Sequence, residues 1–123
     1  MMELKVIDKA FTVCKVEDFS AVDLAGGFVF IGKTDEENSL VCETASTPSD
    51  TLAREDGWRA FRIDGTLEFS LIGILARITS LLADAGIGIF AVSTFNTDYI
   101  LTKEACFDRA LQVLEAHGYT ILR

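Results

Sequence analysis

From Trp58 to the C-terminus, apolar residues switch repeatedly between the spacing of a strand and the spacing of a helix, and few folds accept that order. Trp58-Arg59-Ala60-Phe61-Arg62-Ile63 alternates and runs into Asp64-Gly65, a turn pair, so it reads as a strand. Ile74, Leu75, Ile78, Leu81, Leu82 and Ala85 then recur at helical spacing, and Gly86 follows where a helix C-cap glycine belongs. Residues 87–94 are rich in β-branched and apolar side chains and predict a strand. Phe95-Asn96-Thr97-Asp98 supplies turn-forming side chains, and residues 99–102 return as the partner strand. A second helix is predicted over 104–117, with Phe107, Ala110, Leu111 and Leu114 on one face and Gly118 ending it. Residues 119–122 make a last short strand. The order is βαββαβ. It predicts an α+β fold of the split-βαβ, ferredoxin-like kind: an antiparallel sheet with both helices on one face.

The first half repeats part of this grammar. Residues 11–16, 28–33 and 38–43 read as strands, with 34–37 as a polar turn closing a hairpin. Only a short helix fits between Glu17 and Leu24, and 44–57, with Ser, Thr, the single Pro48 and several charges, reads as a connecting loop. Three strands with one stunted helix look like a reduced copy of the C-terminal unit, and they cannot easily bury both faces alone. The expected division is an abbreviated lobe plus loop over 1–57, packed on and sharing a core with a complete unit over 58–123.

Charge excludes several partner classes. Nineteen acidic against 11 basic residues give a formal net charge of −8, which repels phosphate backbones and anionic lipid unless a basic patch intervenes. Lys and Arg are scattered singly, so neither a nucleic-acid nor a membrane partner is expected. The longest near-continuous apolar run, 81–92, is broken by Asp84, Gly86 and Gly88 and falls short of the ~20 residues that span a bilayer. The charged N-terminus lacks the apolar core of a signal peptide, so the expected location is the cytoplasm. Cys14, Cys42 and Cys106 are odd in number and widely spaced. They predict free thiols rather than a zinc site or a disulfide framework.

Catalytic constellations are scarce. The single histidine, His117, falls in the last turn of a predicted helix, where an imidazole meets the negative dipole end and the terminal carbonyls. No serine or cysteine has the context of an activated nucleophile. Gly26-Gly27 precedes a strand, which makes it a turn rather than a phosphate cradle, and Asp35-Glu36-Glu37 is a solvated turn. The entry to the first helix, Ser70-Leu71-Ile72-Gly73-Ile74, is more informative. A helix entrance presents unpaired N–H groups that suit a carboxylate, and Gly73 lets a ligand approach the backbone. Asp98, on the neighbouring hairpin, can accept hydrogen bonds from an ammonium or guanidinium group. Both positions also have a purely structural reading, Gly73 as a tight-loop residue and Asp98 with Asn96 as turn formers.

The run from Gly57 to Glu104 resembles the small two-lobed ACT-domain proteins, related to the regulatory regions of aspartate kinases and to CASTOR-type arginine sensors. The most specific stretch is Phe90-Ala91-Val92-Ser93-Thr94-Phe95-Asn96-Thr97-Asp98-Tyr99-Ile100-Leu101. Gly57-Trp58-Arg59 and the hairpin strand Glu37-Asn38-Ser39-Leu40-Val41-Cys42 extend the likeness over nearly the whole chain. The resemblance implies a ligand held between ACT units by Leu71, Ile72, Gly73, Phe90, Ser93, Thr94, Asn96 and Asp98. It also implies a non-catalytic regulatory module that binds an amino acid or similar metabolite, needs no cofactor or metal, forms a homodimer and serves an unidentified regulated enzyme. A ligand-free protein-interaction module and a small enzyme are the competing readings.

Overall fold

The computed structural model describes residues 2–64 and 73–123. In chain order the elements are β1 (Glu3–Val16), β2 (Val29–Lys33), β3 (Asn38–Glu43), a 3-10 turn (Thr44–Ser46), β4 (Ala53–Ile63), α1 (Ile74–Asp84), β5 (Phe90–Ser93), β6 (Asp98–Lys103), α2 (Glu104–Ala116) and β7 (Thr120–Leu122). They form two compact units, one of Met1–Asp8 with Arg59–Arg123, the other of Lys9–Trp58. Both boundaries fall inside strands, so β1 and β4 each supply a segment to both units. The larger unit therefore takes in the first eight residues, which the sequence reading assigned to the N-terminal lobe.

The larger unit has the strand order β7-β1-β4-β6-β5. The βαββαβ elements are all present, with one addition: the start of β1 lies between β4 and β7. There it pairs parallel with β7, Glu3 opposite Thr120 and Lys5 opposite Leu122. The pattern was available in the sequence, since Leu4 and Val6, both buried, alternate with Glu3 and Lys5. α1 and α2 close one core with the sheet, α1 through Ile78 and Leu82, α2 through Phe107, Ala110, Leu111 and Leu114, against Phe61, Ile63 and Ile100. Both helices end as the glycines predicted. Gly86 and Gly118 have φ of +76° and +97°. Ile87 N–H reaches Leu82 O at 2.9 Å, and Tyr119 N–H reaches Leu114 O at 3.1 Å, the Schellman closure.

The smaller unit has the order β2-β3-β1-β4, with Cys14, Val16, Leu40 and Cys42 buried under Phe19, Val22 and Val29. Two expectations are corrected here. No helix forms between Glu17 and Leu24; the chain bends and turns instead. Asp18 Oδ1 accepts from Ser20 N–H at 2.9 Å, and Asp23 Oδ1 accepts from Ala25 N–H at 3.0 Å. Such side-chain bonds offer the backbone an alternative to helical pairing. The stretch 44–57 is likewise not all loop, because β4 begins at Ala53. Its charged first half carries no apolar pattern to reveal it. It is secured by Leu52 N–H to Lys15 O at 2.8 Å and by Thr12 Oγ1 to Asp56 Oδ1 at 2.6 Å.

The smaller unit is a reduced copy of the larger. Phe30 opposite Val41 and Lys33 opposite Asn38 in β2–β3 recur sixty positions later as Phe90 opposite Leu101 and Ser93 opposite Asp98 in β5–β6. The turns repeat too, with Thr34 N–H to Glu37 O at 3.0 Å and Thr94 N–H to Thr97 O at 2.8 Å. At the offset where α2 starts, the first copy has only the 3-10 turn from Thr44.

Candidate functional site

The candidate residues that the structure describes lie at the start of α1 and on the β5–β6 hairpin. Gly73 occupies the N-cap of α1 with φ of +83°, the left-handed region that favours glycine. Open space surrounds the position of an added Cβ, so the backbone angle rather than crowding asks for glycine there. α1 then begins with the Arg77 N–H to Gly73 O bond at 2.9 Å. Among the described residues its first turn has no side-chain cap and no acidic residue to compensate its N–H groups.

The β5–β6 hairpin is tied to the end of β4. Thr97, buried in the turn, donates from Oγ1 to Ile63 O at 2.7 Å, while Thr94 Oγ1 donates to Thr97 O at 2.9 Å. Ser93 and Asp98 face each other across the strand pair, and Ser93 Oγ donates to Asp98 Oδ1 at 2.5 Å. Asn96 is exposed at the tip, and Phe90 is half-buried in β5 opposite Leu101.

Beside the α1 entrance lies a cavity of about 370 Å3 lined by Met2, Gly73, Ile74, Arg77, His117, Gly118 and Tyr119. Of the residues that the sequence nominated, Gly73 lines it. Phe90, Ser93, Thr94, Asn96 and Asp98 form the hairpin and are not among the described lining residues. Leu71 and Ile72 lie outside the described residues. Arg77 and His117 were not nominated. Arg77 looks like an ordinary polar position between core residues of an amphipathic helix, and Met2 reaches the cavity through the β1–β7 pairing, with Thr120 N–H bonded to Met2 O at 3.0 Å. His117 does take the helix-end role expected of it: Nδ1 lies 2.8 Å from Val113 O. A carbonyl only accepts, so Nδ1 carries a proton and Nε2 remains uncommitted.

Among the described residues, no group of three or more His, Cys, Asp or Glu is arranged to hold a metal, and no helix is long and apolar enough to cross a membrane.

A model of the ACT domain family matches residues 53–116. The protein named cytosolic arginine sensor for mTORC1 subunit 1, from Homo sapiens, is 39% identical over 72 residues, 55% of this chain and 22% of the relative. The Bos taurus sensor matches equally. The chain thus spans about a fifth of the length of the curated relatives it matches. Among solved structures, an Agrobacterium tumefaciens protein known by X-ray crystallography superposes with a TM-score of 0.87 at 31% identity, covering 98% of this chain and 92% of that one. The regulatory subunit of aspartate kinase from Thermus thermophilus shares the fold, with a TM-score of 0.63 at 9% identity over 89% of this chain and 93% of that one. These matches bear out the resemblance carried by residues 57–104.

Proposed function

Because this chain belongs to the ACT domain family, whose members are regulatory modules for small ligands, we propose that it binds an amino acid or similar metabolite and turns over no substrate itself. The observation that carries this reading is the cavity at the α1 entrance, with Gly73 in its wall. Its volume lies within the range of small-molecule sites. It also adjoins helix N–H groups that have no side-chain cap among the described residues, and such groups suit a ligand carboxylate. Asp98, held in place by Ser93 on the β5–β6 hairpin and outside the described cavity wall, is the proposed acceptor for a cationic side chain that reaches beyond the cavity. The chain acts in the cytoplasm, on this reading, as a homodimer that reports metabolite level to a separate enzyme.

A thermal-shift screen across the amino acids tests it, with arginine first because the curated relatives are named as arginine sensors. A ligand at 100 times its dissociation constant stabilises the fold by about 2.7 kcal/mol, so a true ligand raises the melting temperature by several degrees. For a cationic ligand, Asp98→Asn is expected to weaken binding about ten- to a hundred-fold, the loss of one charge-assisted hydrogen bond. A flat response to every amino acid would count against the sensor and leave a ligand-free interaction module.

A further inference from the structure

Two exposed basic side chains from different helices line the open cavity, Arg77 in the first turn of α1 and His117 at the C-cap of α2. Arg77 is badly placed for helix stability. A cation in the first turn meets the positive end of the helix dipole, and that turn contains neither an acidic residue nor a capping side chain to offset it. The ion pairs found among the described residues involve Lys9, Arg54, Arg59 and Arg62, not Arg77. With 19 acidic residues in the chain, carboxylates are not in short supply. Arg77 is exposed at the cavity, so its guanidinium is satisfied by water and free to meet an anionic ligand, while its place against the dipole gives the helix nothing in return.

His117 complements it. Its Nδ1–H is spent on Val113 O, so Nε2 is the ring nitrogen left for a ligand, an acceptor whenever the ring is neutral. The remaining walls, Met2, Ile74 and Tyr119, are largely apolar. We infer that the cavity recognises the α-carboxylate of an amino acid through the Arg77 guanidinium and its α-ammonium through His117 Nε2, with the aliphatic part of the side chain against Met2, Ile74 and Tyr119. This inference rests on the amino-acid reading above and assigns the contacts that read the two α-groups.

Three probes divide the contacts: leucine, leucinamide, which lacks the carboxylate, and α-ketoisocaproate, which lacks the ammonium. Followed by amide NMR on the full chain, leucine at millimolar concentration is expected to shift Ile74, Arg77, Gly118 and Tyr119. Leucinamide and α-ketoisocaproate are each expected to bind about tenfold or more weakly than leucine. Arg77→Gln is expected to weaken leucine by a similar factor while the ligand-free protein melts at the same temperature or higher, because only an uncompensated charge has been removed. Equal binding of leucine by Arg77→Gln and the parent overturns the inference, as does α-ketoisocaproate binding as tightly as leucine. Silence of those amides toward leucine overturns it as well. If another amino acid still stabilises the fold in the thermal screen, the amino-acid reading survives that failure; if none does, both fall.

Discussion

Thr97 shows how one hydroxyl sets the geometry of the candidate site. It is buried, and its Oγ1 bond to Ile63 O joins the hairpin turn to the last residue of β4. Thr97→Val keeps the shape and removes the donor. It is expected to destabilise the fold by about 1–3 kcal/mol, because a carbonyl in a buried setting loses its partner; a lower denaturation midpoint with unchanged slope is the check. The cysteines give a second residue-scale test. Burial raises the Cys14 thiol above its ordinary value, helped by the neighbouring Cys42 and by Asp56, with Arg54 opposing. A raised folded value means that this contribution to stability is complete below the unfolded thiol's pKa and is lost as pH climbs through the folded one. Native alkylation at neutral pH is therefore expected to label half-buried Cys106 first, with Cys14 and Cys42 reacting only on unfolding; mass spectrometry over time reads the order. At this scale His117 was legible, because a lone imidazole at a helix end has few other partners. Arg77 was not, since periodicity registers only that a position is polar, never that its charge lies against the dipole.

Among elements, legibility followed the apolar signal. α1, α2 and both hairpins have side chains that choose one face, and the structure places them within a few residues of their expected ends. β4 was half seen because Ala53-Arg54-Glu55-Asp56 is exposed and carries no apolar alternation, its side-chain tie running through Thr12 and Asp56 instead. The missing helix after Glu17 was lost to Asp18 and Asp23, whose short side chains bond the backbone two residues on. The start of β1 was hidden for a different reason. Its four-residue alternation is weak locally, and what makes it a strand is a partner, β7, at the far end of the chain. That dependence is testable. Deleting residues 1–8 removes Leu4 and Val6 from the core, about 1.5–3 kcal/mol for each side chain, and leaves β7 without its parallel neighbour. The loss approaches the whole stability of a small domain. The expected result is a broad, non-cooperative melt by circular dichroism; a sharp transition at the parent temperature would show that β7 needs no such pairing.

Across the whole chain, the sixty-residue repeat accounts for what one copy can and cannot supply. Both copies keep the hairpin with its register and turn bonds, but only the second keeps α1 and α2. A ligand site shared between two complete units, as the resemblance implies, would therefore lack its second unit within one chain. The homodimer proposed above supplies it, and two-fold association is the commonest closed arrangement for identical chains. Within their own units β2 and β5 are edge strands, with backbone groups available for pairing. Opposing this is a net charge of −8 on each copy, a repulsion that salt screens once the Debye length falls to about 8 Å at physiological ionic strength. The two effects give the dimer a signature that an ordinary monomer lacks. In sedimentation at micromolar concentration the dimer fraction is expected to rise with salt, and to rise again when an amino acid is added, because a ligand that bridges two copies binds the dimer preferentially. A chain that sediments as a monomer at low and physiological salt, with and without ligand, closes the shared-site account. Any amino acid it binds is then held by residues of a single chain, for which Gly73, Arg77 and His117 are the proposed contacts.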